Sequence, residues 1–315
     1  MEPKVNNEQV FNLKNSFNER FFVRSYLPES EKPMGIVQVI HGMAEHGGRY
    51  SEFGNYLTKL GFGLYVADLP GHGQTAENSM QLGHISPNDG WEKMLDNTRT
   101  LYTHIRTSHS EVPVFMLGHS LGSILAKHIT ALYPLYVQGL ILSGTFDVPE
   151  SKMRLINIFL QFQSFFLSSE TKSKWFNRLF FGGFNMHFNP RPTPYEWISS
   201  VREEVDQYAN DPYCGFECSV GFFKSFGRGY LAMKKVSQNL TYRKTLPVLI
   251  FCGQDDPVGN FGKDAIKIHS DFYKQRFQNL TIKVFNGRHE LFHEKDKEKV
   301  FEYLLNWMLE YLHTR

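Results

Sequence analysis

The residues with chemistry to offer are one serine, a pair of adjacent aspartates and one histidine, far apart in the chain. Ser120 sits in "VFMLGHSLGS" (114–123), between Gly118 and Gly122 in a GxSxG pattern, after an apolar run and before a helix-like stretch. Five residues are a weak signal alone, so their setting must decide. A serine hydroxyl is a poor nucleophile at neutral pH; it needs a base to take its proton and an acid to orient that base. Asp255 and Asp256 occur in "CGQDDPVG" and His289 in "NGRHE", each just after a β-rich run. Ser, Asp, His is the chain order known for a nucleophile held on a sharp strand-to-helix turn. His289 is therefore the expected base, and the residues alone leave either aspartate as the acid.

Such groups must be carried to one place by a scaffold. "FFVRSYLP" (21–28) and "GIVQVIHG" (35–42) read as neighbouring strands. A helix follows with Phe53, Tyr56, Leu57 and Leu60 at helical spacing and Gly61 as its stop. Next come the strand "FGLYVADLPGHG", a helix over 89–108, the strand "VPVFMLG", a helix over 120–133 and the strand "VQGLILSG". Strands apolar on both faces, alternating with amphipathic helices, predict an α/β fold: a mostly parallel sheet with helices on both faces. From about Phe146 to Leu240 the alternation stops and the chain becomes rich in Phe, Tyr and Trp. It resumes with "LPVLIFCG", a helix over 261–277, "LTIKVFNG" and a last helix over 297–312 with Val300, Leu304, Trp307, Met308 and Tyr311 on one face. The expected organisation is a core from 1–146, an inserted segment from 147–240 and the rest of the core from 241–315.

Bulk properties narrow the function classes. A chain of 315 residues, 41% hydrophobic and 21% charged, can bury a large core, which excludes disordered and fibrous classes. The formal net charge of +2, from 34 basic against 32 acidic side chains spread along the chain, argues against nucleic acid as a partner. Three cysteines, Cys214, Cys218 and Cys252, are too few for a disulfide framework and suit a reducing compartment. The polar start "MEPKVNNEQV" lacks a signal-peptide core, and the greasiest stretch, "LINIFLQFQSFFL" (155–167), is too short and interrupted to span a bilayer. A cytoplasmic protein, peripheral to membrane at most, is expected.

The chain resembles the serine α/β-hydrolases, and among them the monoacylglycerol lipase and lysophospholipase branch. The resemblance rests on "HGMAEHGGRY", "DLPGHGQT", "GHSLG", "CGQDDPVG" and "GRHE", which follow the family's order from Gly42 to His289. It implies an α/β-hydrolase fold with the aromatic insertion as a helical cap, "EEVDQYANDPYCG" (203–215) being similar to a cap segment of that branch. It also implies Asp256, fourth residue of the GxxD turn, as the acid, with Asp255 a turn residue. Two backbone N–H groups would bind the oxyanion, that of Leu121 after the nucleophile and, by the family's loop pattern, that of Met43.

Other residues carry weaker claims. Glu45 and Arg49 match family positions near the polar head of the substrate, with mutual pairing across a turn as the plain alternative. His119 flanks the nucleophile and is expected to line the pocket, whereas His41 and His72 read as loop braces. His293 lies four residues after His289, one more than the family's head-group histidine. Phe159, Phe162, Phe165, Phe166, Phe180, Phe181 and Phe184 exceed what a small cap needs for its own core, which suggests an acyl tunnel or a membrane-facing patch. The expected activity is hydrolysis of a lipid monoester, a monoacylglycerol or lysophospholipid, through an acyl-enzyme, with no metal and no cofactor. The same residues would also serve a thioesterase, a short-chain esterase or an aminopeptidase, and a non-catalytic lipid-binding protein is the reading from another class.

Overall fold

The computed structural model describes residues 8–29, 32–163, 166–172, 174–238 and 242–312. Along the chain run β1 (Glu8–Lys14), β2 (Arg20–Tyr26), β3 (Gly35–Ile40), α1 (Ser51–Thr58), β4 (Phe62–Ala67), α2 (Gly90–Ser108), β5 (Val114–His119), α3 (Leu121–Leu132) and β6 (Gly139–Ser143). Then come α4 (Glu150–Gln163), α5 (Lys174–Phe181), α6 (Arg202–Asn210), α7 (Val220–Gln238), β7 (Val248–Gly253), α8 (Lys263–Lys274), β8 (Leu280–Phe285) and α9 (Lys297–Glu310). The eight strands form one sheet in the order β1-β2-β4-β3-β5-β6-β7-β8. β1–β2 and β2–β4 are antiparallel, and every other pairing is parallel.

The parallel strands need cover on both faces because their side chains are apolar on both. Every residue of β3, β4, β5, β6 and β7 is buried. One face carries a core built with α2, α3, α7 and α8, including Ile124, Leu125 and Ile129 of α3; the other is closed by α1 and α9. In α9, Val300, Leu304, Trp307 and Met308 are buried as the periodicity predicts, while Tyr311 lies just past the helix end, half-buried. β8 and β1 are the two edges of the sheet, and both are only partly buried.

Two sequence expectations change. β2 and β3 are not neighbours: β4 lies between them, paired antiparallel to β2 and parallel to β3. The β3-α1-β4 crossover returns the chain beside β3, and β2 pairs on the far side of β4, with β1 outside it. β1 had no signal of its own, because "EQVFNLK" is half-exposed and only Phe11 and Leu13 pack onto the core. Between β6 and β7, α7 buries Phe222, Phe223, Phe226, Tyr230 and Met233 into the main core, while Trp197, Ile198, Val205, Tyr208 and Cys214 form a small cluster of their own.

Candidate active site

Ser120 stands at the junction of β5 and α3 with φ 50° and ψ −117°. This left-handed conformation is strained for a residue with a side chain, and it persists only where its surroundings fix it. The Ser120 N–H donates to Ser143 O at 2.9 Å. The flanking glycines are required by close approach: a Cβ on Gly122 would stand 2.0 Å from Ile40 O, and one on Gly118 would stand 2.3 Å from Gly122 O. Behind the turn, the Ser123 hydroxyl bridges Ser120 O at 2.6 Å and Thr145 Oγ1 at 2.8 Å. The serine is thus presented on a rigid elbow.

The carboxyl ends of β7 and β8 bring the other two groups. His289 Nδ1 lies 2.9 Å from Asp256 Oδ2, and both side chains are buried. Asp256 Oδ1 accepts the Val258 N–H at 2.9 Å, so both carboxylate oxygens are fixed. Asp255 is exposed. Burial disfavours the charged imidazole of His289, yet the carboxylate and hydrogen bond of Asp256, with Glu290 and Glu45 nearby, raise its pKa above the ordinary value. That bond directs Nε2 away from the acid. Among the described residues no hydrogen bond joins Ser120 to His289; the two line one cavity.

The loop after β3 borders the serine, since a Cβ on Gly42 would come within 3.2 Å of Ser120 Cβ. Gly42 N–H donates to Glu45 Oε1 at 2.5 Å, and Tyr50 donates to the same oxygen at 3.2 Å. Ala44 takes φ 57°, and its carbonyl accepts both the Tyr208 hydroxyl at 2.8 Å and the Gly215 N–H at 2.9 Å. Met43 and Leu121 line the cavity, and neither N–H has an acceptor among the described residues. Two free donors beside a fixed serine can hold a negatively charged oxygen.

The cavity holds about 500 Å³. Ser120, His289, His119, Glu45 and Glu290, with Asp147, Lys152, Asn260 and Asp264, are the polar groups of its lining, and Phe146, Val148, Met153, Ile156, Phe181, Phe184, Trp197, Phe226 and Val258 are apolar. A serine and its donors in the wall of a largely apolar cavity suit an ester that carries a hydrocarbon part.

Residues 31–296 match the hydrolase family described as serine aminopeptidase, S33. The chain belongs to this family. It is an α/β-hydrolase of the monoacylglycerol lipase branch. It is 26% identical over 289 residues to monoglyceride lipase of Mus musculus, covering 90% of this chain and 84% of the relative. With the monoglyceride lipase of Homo sapiens it shares 25% identity over 304 residues, covering 94% of this chain and 89% of the other. A solved carboxyl esterase from Bacillus coagulans, in complex with glycerol, superposes with a TM-score of 0.87 at 25% identity over 97% of this chain and 99% of that one.

In this S33-family hydrolase the weaker candidates separate. Glu45 and His119 line the cavity, with His119 Nδ1 3.3 Å from Ser143 Oγ and its ring 4.7 Å from that of His289. Arg49 is not in the cavity wall and does not pair with Glu45. Its guanidinium grips Glu290 at 3.1 and 2.6 Å and lies 4.8 Å over the Tyr208 ring. His293 faces Glu204 at 3.0 Å, and the position three after the base is the buried core residue Phe292. His41 accepts the Leu69 N–H at 2.9 Å, and His72 Nδ1 reaches Pro70 O at 2.9 Å; burial lowers their pKa to about 4 and about 3, as befits neutral braces.

The three cysteines are free and buried. Cys214 gathers with His46 and Asp211, their ligand atoms within 4.8 Å of one another. His46 Nδ1, however, accepts the Gly48 N–H at 3.1 Å, so the ring proton sits on Nε2 and goes to Asp211 Oδ2 at 2.9 Å. A metal on Nε2 would put a proton on Nδ1 against that N–H, so the residues present do not fit one. Phe165 and the Phe180 side chain lie outside the described residues; Phe181 and Phe184 line the cavity, while Phe159, Phe162 and Phe166 are exposed. Sequence reasoning missed Glu290, Ser123 and Ala44, whose neighbours "RHE", "GHSLGS" and "GMAE" were its only signal.

Proposed function

We propose that this chain hydrolyses lipid monoesters, monoacylglycerols or lysophospholipids, by a serine acyl-enzyme route. The observation that carries the reading is that the strained Ser120 shares one largely apolar cavity with His289, which Asp256 holds from behind. Ser120 attacks the ester carbonyl as His289 takes its proton; Asp256 holds the ring and its charged form. The Met43 and Leu121 N–H groups stabilise the oxyanion, each such donor being worth about 3 kcal/mol. The proton returns to the leaving alcohol, and water then releases the fatty acid by the reverse path. Glu45 and His119 stand beside this alcohol end, and Arg49 acts there through Glu290.

The segment 147–240 serves as the cap and supplies most of the apolar wall. On α4, Leu155, Ile158, Phe159 and Phe162 follow helical spacing and are 37–68% exposed, with Phe166 beyond them. An apolar stripe facing out from the cap is suited to a lipid surface from which a long-chain substrate enters. Among the described residues no helix is long and apolar enough to cross a membrane.

The test is a fluorophosphonate probe and an acyl-ester series on wild type and Ser120→Ala. Labelling lost in the variant, with wild-type turnover peaking at long chains, is the expected result. Hydrolysis persisting in Ser120→Ala overturns the mechanism, and a peak at acetyl or butyryl esters overturns the lipid assignment.

A further inference from the structure

Asp147 lies in the wall of two cavities. One is the space of about 500 Å³ shared by Ser120 and His289; the other, of about 330 Å³, lies among α3, α7 and α8. Among the described residues no other lines both. Asp147 belongs to the loop after β6. In the strand order β3-β5-β6-β7 that loop stands across the Ser120 elbow from the β3 loop, which carries Met43 and Glu45. Glu45 takes the alcohol side of the proposed reaction, so Asp147 falls on the acyl side.

The N–H and both carboxylate oxygens of Asp147 are engaged. The N–H donates to Asp264 Oδ2 at 3.0 Å. Oδ1 accepts from Lys234 of α7 and from the Tyr230 hydroxyl at 3.2 Å, and Oδ2 accepts from Lys267 of α8 at 2.5 Å. The same contacts hold its two neighbours, both of which line the catalytic cavity: the Val148 N–H donates to the Tyr230 hydroxyl at 2.7 Å, and the Phe146 ring stacks on that of Tyr230. Burial opposes the charge of Asp147, yet the hydrogen bonds from Lys234 and Lys267 hold its pKa below the ordinary value, so the clamp is ionic near neutrality. Apolar residues packed in place of a buried ion pair are often as stable or more so, and stability alone does not call for a charge here. What the charge adds is a partition: hydrocarbon cannot pass it without breaking charge-assisted hydrogen bonds in a place closed to water.

We propose that Asp147, clamped between Lys234 and Lys267, is the stop that sets the longest acyl chain the active site accepts, with the second cavity as unused room behind it. The inference rests on the lipid-ester reading of the site.

The test is a series of glycerol monoesters from butanoyl to tetracosanoyl in one detergent, on wild type and on Asp147→Ala combined with Lys234→Met. The double change removes both buried members of the clamp, while Lys127 and Lys267 each keep Asp264 and Asp271 nearby. Wild-type kcat/KM should rise by up to about 4-fold per methylene, the equivalent of about 0.8 kcal/mol for each one buried, and then fall at a limit. In the double variant the limit should move to longer chains, the ester one methylene past the wild-type limit gaining about 4-fold relative to the octanoyl ester. A uniform loss of activity would lower the profile without moving its limit, and that result overturns the proposal. So does a wild-type profile that climbs to tetracosanoyl with no limit, a result that needs no variant to fold. A wild-type peak at butanoyl overturns the lipid-ester reading itself, whereas long-chain turnover with an unmoved limit overturns the stop alone.

Discussion

Tyr208 donates its hydroxyl to the carbonyl of Ala44, 2.8 Å away, and so ties the helical insertion to the loop that carries Met43. Ala44 holds a left-handed φ of 57°, a conformation that costs an alanine free energy unless something over-determines it. The Gly215 N–H on the same oxygen is the second tie. The segment that carries Tyr208 and Gly215 therefore helps to fix the orientation of the proposed oxyanion donor.

Tyr208→Phe removes one of those two ties and leaves the ring in its packing. A lost hydrogen bond of about 1 kcal/mol corresponds to a kcat reduced about 5-fold with KM nearly unchanged. Steady-state kinetics on a soluble ester checks this; a rise in KM at constant kcat would instead place Tyr208 in ground-state substrate binding.

Asp256→Asn should reduce kcat by about 10⁴-fold, because an amide holds the imidazole in the wrong tautomer. Asp255→Asn, at an exposed turn position, should keep activity within about twofold, as surface changes do. Equal losses in the two variants would contradict the assignment of the acid.

The acid limb of the rate profile should report His289. The base works only when neutral, and its pKa is raised, so kcat/KM should fall as pH drops through a value above about 6.5. Asp256 is the largest of the raising influences. In Asp256→Asn the residual activity should therefore persist to lower pH. An inflection that stays in place in that variant would mean that another group titrates.

Leu155→Ser, Ile158→Ser and Phe162→Ser combined should weaken partitioning to phospholipid vesicles by at least about tenfold, since each side chain removed from water is worth about 1.5–3 kcal/mol. Turnover of a soluble short-chain ester should be unchanged, because the three residues are exposed and off the cavity wall. Vesicle sedimentation together with an assay in solution separates the two effects; undiminished vesicle binding would remove the membrane role from this face.

Most of the core was legible because its signals are local. "VFML" followed by "GHSLG" needs only a few neighbouring residues to read as a buried strand turning sharply into a helix, and β3 through β7 announce themselves by being apolar on both faces. β1 carried no such signal, since it is an edge strand whose few apolar residues are half-buried between β2 and the core. Strand neighbours were not local either: β4 lies between β2 and β3 because of a crossover that neither strand encodes.

By itself the sequence determined the α/β core, Ser120 and His289, because strand, turn and helix patterns fix which side chains reach the carboxyl ends of the strands. The residues alone left Asp255 and Asp256 both open, and the family resemblance pointed to Asp256. The tertiary structure sets Asp256, not the exposed Asp255, against the histidine, because the side-chain direction of a turn depends on its contacts. It also moved Arg49 from Glu45 to Glu290, 241 residues away, and gave Ala44 its two ties from the insertion. Partners at such separations are chosen by packing, and no spacing in the chain records them.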